Sequence, residues 1–422
     1  MSSTRIAAFL LLAGLMGLPA LPVGADDWPQ WRGPDRSGVS KETGLLKEWP
    51  KGGPPLAWKT AGLGTGFATP SISNGRVYLL GGRKDNTEEY LIALNEKDGK
   101  EIWSTKIGRV GANRGQQYPA PRSTPAADGD RIYALSSDGD LVCVEAADGK
   151  LIWHKHLEKD FGGRRGNWAY AESPLIDGDV LVCTPGGSKA TMVALNKKTG
   201  DVIWTASVPE GNEAAYSSIV MAQAGGTKQY VNFLSGSLVG ISAKDGKLLW
   251  SYPKTANRIA NIPTPLSGDG YVFSASGGGR GGGGGGLIQL VPEGQGIVPK
   301  EVFFSDRLGS HIGGFIRVGD YLYGTDNTQL KCVDYKTGEV KWQDRSVGKG
   351  SLTAAEGLLY VRGERGAVAL VEATPAGYRE RGRFDQPDRN PQYPAWPYPV
   401  IANGKLYLRD YDILLCYDIK AK

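Results

Sequence analysis

Histidine, cysteine and methionine are scarce in this chain, with 3, 4 and 4 copies among 422 residues. Three histidines do not support a site built mainly from imidazoles, and no Cys-x-x-Cys-His run is present to attach a c-type haem. The longest apolar run, Ile6 to Leu18, is shorter than a bilayer-spanning helix requires, which argues against stable membrane insertion. Charge of one sign is lacking too. The formal balance of +5 falls to +4 without Arg5, too mild to imply nucleic acid or anionic lipid as a partner. A serine nucleophile elbow, paired-carboxylate spacing and sustained helical periodicity are also missing. The glycine run from Gly277 resembles a phosphate loop only by composition, since no Lys-Ser/Thr ending follows, and it reads as a flexible insertion.

Repetition is what the chain has in abundance. Asp148-Gly149-Lys150-Leu151-Ile152-Trp153 recurs, with variation, as turn, strand and tryptophan ending at Trp103, Trp204, Trp250 and Trp342. These tryptophans stand 50, 51, 46 and 92 residues apart along the sequence, and each follows a glycine by four positions. A period of this size made of short strands predicts propeller blades. Blade two shows the full unit: Ser123-Thr124-Pro125-Ala126, Arg131 to Leu135, Asp140 to Val144, then Leu151 to Trp153, with Asp-Gly and Ser-Asp-Gly turns between them. The Gly-to-Trp signature is absent in the fifth and seventh blades. Leu56-Ala57-Trp58-Lys59 has the tryptophan without preceding strands, and the last blade has three strands only. The two ends are expected to share one blade and close an eight-bladed, all-β ring, which removes exposed sheet edges.

The start of the chain fits an exported protein. Arg5, the apolar run and Val23-Gly24-Ala25 read as a signal peptide over residues 1–25. Residues 26–54 then form an N-terminal extension and 55–422 the propeller, placed in the periplasm or secreted. Cys143, Cys332 and Cys416 fall where Ala93 stands in blade one, and Cys183 lies in a different strand, so free buried thiols are expected rather than two disulfides.

Arg76-Val77-Tyr78, Leu91-Ile92-Ala93-Leu94-Asn95 and Asp98-Gly99-Lys100-Glu101-Ile102-Trp103 resemble the pyrroloquinoline-quinone (PQQ)-type repeat, and the likeness extends over about residues 55–420. Asp27-Trp28-Pro29-Gln30-Trp31-Arg32-Gly33-Pro34 is similar to the start of exported PQQ-like propellers of planctomycete-type bacteria. The resemblance implies either of two roles, because fold does not fix function. One is a BamB-like, noncatalytic binding scaffold whose partner is a periplasmic protein or a small ligand. The other is a quinoprotein dehydrogenase of alcohols or sugars, using PQQ and calcium. The cysteine pair those dehydrogenases carry over the cofactor has no counterpart here.

Function in propellers concentrates on the loops that join one blade's outer strand to the next blade's inner strand. Here those loops are rich in arginine, amide and aromatic residues, a set that suits a planar or anionic ligand. The candidate binding residues are Arg114, Gln117, Arg122, Arg165, Trp168, Arg307, His311, Lys349 and Trp396. If PQQ and calcium bind, the resemblance implies Glu172 and Asn261 as metal ligands and Asp306 as base. His154 and His156 alternate onto one face of an outer strand, where two ligands alone make an incomplete metal site.

Overall fold

The computed structural model describes residues 27–112, 118–209, 213–277, 281–294 and 296–421. The expected signal peptide, Arg114 and Gln117 therefore lie outside the described residues. The described chain is an eight-bladed propeller of four-stranded antiparallel sheets with almost no helix. Leu56–Thr60 pairs with Ile413–Asp418 as the outer strand of the last blade, so both ends of the chain share blade eight. Trp58 stands opposite Cys416, in the register that Trp153 keeps with Cys143. All four cysteines are free and buried, and burial pushes the Cys143 thiol up to about 11.

The repeated hexapeptide works across blade boundaries. Trp58, Trp103, Trp153 and Trp204 each donate Nε1–H to a carbonyl of the following blade: Glu96, Ala146, Lys197 and Ala243, at 2.9, 3.1, 2.9 and 3.2 Å. Under each ring lies the repeat glycine of that next blade. A Cβ on Gly149 would fall 2.6 Å from the Trp103 ring, and φ of +76° at this glycine disfavours a side chain independently. The glycine of one copy is thus the seat for the tryptophan of the copy before it.

The two irregular blades keep this joint with other residues. In blade five Phe303 stands opposite Leu287 at the tryptophan position and lies against Gly338 of blade six. In blade seven the position falls on Gly382, opposite Leu370. Trp49 of the N-terminal extension covers it, donating its backbone N–H to Arg381 O at 2.9 Å and packing on Phe384 and Tyr360. The glycine run of blade five is partly strand, not wholly an insertion: Gly285 and Gly286 open Gly285–Glu293 and pair with Ala275 and Ser274. A Cβ on Gly285 would lie 2.6 Å from Leu308, so close packing demands glycine there. Residues 278–280 of that run lie outside the described residues.

The N-terminal extension crosses the channel and touches every blade. Trp28 exchanges backbone hydrogen bonds with Ile72 of blade one, and Pro29 O accepts from Ala127 N of blade two. The Arg36 guanidinium, 3% exposed, donates to Ser173 O, Pro174 O and Ile219 O of blades three and four. Trp31 reaches Thr264 of blade five, and Arg32 donates to Phe315 O of blade six at 2.7 Å. Val39–Ser40 adds a parallel strand to Gly350–Ala355 of blade seven, and Glu42 accepts from Gly404 N of blade eight. Buried carbonyls left open at the inner strands find their donors in these two arginines.

Candidate functional site

Above this plug, the loops of seven of the eight blade junctions converge on a cavity of about 300 Å³. Trp31 of the extension belongs to its lining together with Phe67, Tyr118, Trp168, Tyr216, Trp396 and Tyr398. The rings brace one another: Trp31 meets Tyr398 edge-on at 4.8 Å, Phe67 tilts on Trp396 at 4.9 Å, and Trp168 meets Tyr216 at 5.5 Å. Such contacts fix ring orientation at a site whose walls are otherwise loop. Lower down, hydroxyls stitch the inner strands together. Ser173 N donates to Ser218 Oγ at 3.0 Å, Thr124 N to Ser173 Oγ at 2.9 Å, and Tyr398 N to Thr69 Oγ1 at 3.0 Å. The Ser/Thr that opens most blades therefore holds the rim of the channel.

Arg122 is the charge in this cup. Its guanidinium lies 5.5 Å from the Phe67 ring centroid and donates to Tyr118 O and Ala120 O at 2.7 and 2.9 Å. Burial lowers its pKa to about 10, which leaves it a cation at neutral pH. No carboxylate lines the cup among the described residues. His311 also lines it, and burial together with the Lys349 charge holds its imidazole below the usual pKa, so it faces the cup neutral. An apolar, aromatic bowl with one cation and one neutral imidazole can hold a planar or apolar group bearing negative charge.

Of the residues singled out from sequence, Arg122, Trp168, His311 and Trp396 come together in the cup. Those of the others that lie among the described residues are elsewhere. Arg165 is ion-paired to Asp138 and Glu158. Lys349 pairs with Glu364 at 3.1 Å, and Glu364 also accepts from Trp396 Nε1, so this lysine braces the wall. Asp306 and Arg307 lie in a separate open groove with Asp326 and Lys331. Asn261 spends its amide on Leu234 O and Ser235 O and its oxygen on Asn257 N. Trp31, Phe67, Tyr216 and Tyr398 were not singled out. For Phe67 and Tyr216 a signal exists in the spacing from the blade-opening Ser/Thr, since Phe67 precedes Thr69 by two residues and Tyr216 precedes Ser218 by two.

Glu172 is 3% exposed and accepts from Thr184 N at 2.8 Å. Burial raises its carboxyl to about 8, and the same cause raises Glu89 to about 8, where Ser137 donates both N–H and Oγ–H. Both carboxyls hold their proton more tightly folded than unfolded. Their contribution is complete below the unfolded value near 4.5 and disappears as pH climbs through about 8. Thermal melts between pH 5 and 9 are expected to fall more steeply for the native chain than for the Glu89→Gln, Glu172→Gln double variant. Parallel curves would refute the assignment.

This donor set does not fit calcium with PQQ. Calcium takes six to eight oxygen ligands, whereas Glu172 is a buried carboxyl held by Thr184 N, Asn261 spends its oxygen on Asn257 N, and Asp306 lies in a different groove.

A family model described as outer membrane protein assembly factor BamB matches residues 87–344. The chain belongs to this BamB-type, PQQ-repeat propeller family. Among curated relatives, BamB of Yersinia pestis is 24% identical over 221 residues, covering 51% of this chain and 50% of that protein. The dehydrogenase subunit of the quinone alcohol dehydrogenase of Gluconobacter oxydans is 28% identical over 169 residues, 37% of this chain and 22% of that one. The matches thus span half or less of these relatives' lengths. The solved quinohemoprotein alcohol dehydrogenase of Comamonas testosteroni superimposes with a TM-score of 0.63 at 13% identity, covering 94% of this chain and 81% of that one, a likeness of fold. The chain is therefore similar both to outer membrane protein assembly factors and to quinone-dependent dehydrogenases. Among the described residues no helix is long and apolar enough to cross a membrane.

Proposed function

We propose that this protein is an exported, noncatalytic binding scaffold, periplasmic or secreted, whose ligand site is the aromatic cup at the channel mouth. The observation that carries this reading is Arg122: a half-buried guanidinium facing an aromatic bowl whose lining, among the described residues, holds no carboxylate. The ligand is a small aromatic carboxylate, or an aromatic and acidic side-chain pair on a partner protein. The dehydrogenase reading is the weaker one, because the cup holds no carboxylate among the described residues, either as metal ligand or as base.

Aromatic carboxylates titrated into the chain are expected to change its tryptophan emission, since Trp31, Trp168 and Trp396 line the cup. Arg122→Gln removes a charge-assisted hydrogen bond, so affinity should drop about 10- to 100-fold. Equal affinity of the variant would remove the cup from consideration. Calcium with PQQ should leave the melting temperature unchanged; a clear rise together with dye-linked alcohol oxidation would overturn the noncatalytic reading.

A further inference from the structure

Blade two carries a cluster outside the cup that the binding reading does not use. Asp138 and Asp140 flank Gly139 in the turn between its second and third strands, and the outer strand Leu151–His156 carries His154 and His156. In the antiparallel register His156 stands opposite Asp140. One donor atom each from Asp138, Asp140 and His156 lie within 4.8 Å of one another. His154 Nε2 is 2.8 Å from Asp140 Oδ1.

A surface hydrogen bond to Asp140 accounts for His154, but nothing comparable accounts for His156. That side chain is 6% exposed, and its Nδ1 has no hydrogen-bond partner among the described residues. Its Cε1, the ring atom between the two nitrogens, faces the Gly139 turn, 3.6 Å from where a Cβ on that glycine would stand. A buried imidazole nitrogen with no partner, on a ring that offers a donor atom within 4.8 Å of two carboxylates, leaves a polar atom unsatisfied that a cation would satisfy. The charge around it agrees. Glu158 adds to the two aspartates, and Arg165 is the cation paired with this group, through Asp138 and Glu158.

We propose that Asp138, Asp140 and His156, with His154 as fourth ligand, form a binding site for a divalent transition metal of the zinc class. Mixed imidazole and carboxylate donors suit such an ion, whereas calcium and magnesium favour oxygen alone. Tetrahedral zinc with bonds of about 2.0–2.1 Å needs ligand atoms roughly 3.3 Å apart, a contraction within reach of side-chain rotation. The ion takes over the place of Arg165 on Asp138. Metal and guanidinium therefore compete, and the loop bearing Arg165 also bears Trp168 of the cup.

The full chain, stripped with chelator and dialysed, is titrated with Co²⁺ by visible absorption and with Zn²⁺ by calorimetry. One Co²⁺ per chain with the intense visible bands of tetrahedral nitrogen and oxygen ligation is expected, displaced by Zn²⁺. His156→Gln should weaken binding about 100-fold or more, while Arg165→Gln, by removing the competitor, should tighten it several-fold. Far-UV circular dichroism shows whether each variant keeps the propeller. Absence of binding by the native chain overturns the site, and so does binding that a folded His156→Gln variant retains. An Arg165→Gln variant that binds no tighter refutes the competition.

Discussion

Deleting residues 55–60 is expected to lower the melting temperature by at least about 10 °C or to abolish a single cooperative transition. The segment is the outer strand of blade eight, and its loss leaves Ile413–Asp418 as an unpaired edge. It also removes Trp58, which is 9% exposed, donates to Glu96 O, and seats on Gly99 of blade one. The joint between first and last blades is therefore lost with the strand. Lys59→Ala is the control, since Lys59 makes an exposed pair with Asp388 worth at most about 1 kcal/mol. Differential scanning calorimetry of the two variants decides the matter; an unchanged melt for the deletion would mean the ring does not depend on this closure.

Trp153→Ala should cost about 3–5 kcal/mol, the range for removing a large buried aromatic side chain. The Trp153 ring packs with Tyr133 at 6.1 Å, lies over Gly200, and donates to Lys197 O at 2.9 Å. Alanine leaves a void between blades two and three and a carbonyl without its donor. Trp31→Ala is an informative contrast, because Trp31 lines the cup and bonds to Thr264 rather than joining two neighbouring blades. Denaturant unfolding of both variants should show the larger loss in Trp153→Ala. A cost below 1 kcal/mol for Trp153→Ala would refute the tryptophan-on-glycine joint.

The ring itself was readable because its rules are local. Turn glycines, period-two strands and a tryptophan at fixed offset repeat along the chain, and each copy reports the same geometry. The missing signatures of blades five and seven were readable as departures, but not their replacements. Phe303 does the work of tryptophan in place, while Trp49 arrives at Gly382 from more than three hundred residues away in sequence. No spacing rule links the latter pair.

The cup was partly legible. Arg122, Trp168, His311 and Trp396 sit on loops whose composition drew notice, and they meet because propeller loops converge on one mouth. Arg165 and Lys349 share that composition, yet each has an acidic neighbour close enough to hold it. Which arginine is left without an ion pair at the cup depends on distances across blades. Sequence alone thus determined the eight-bladed ring, its closure by Leu56–Thr60 and the free buried cysteines, since periodicity and strand alternation encode them one unit at a time. Only the tertiary structure decided that the N-terminal extension plugs the channel, that Trp31 belongs to the cup, and that Asp138 and Asp140 stand beside His156. Those assignments rest on contacts between distant segments, which exist only once the blades have closed on one another.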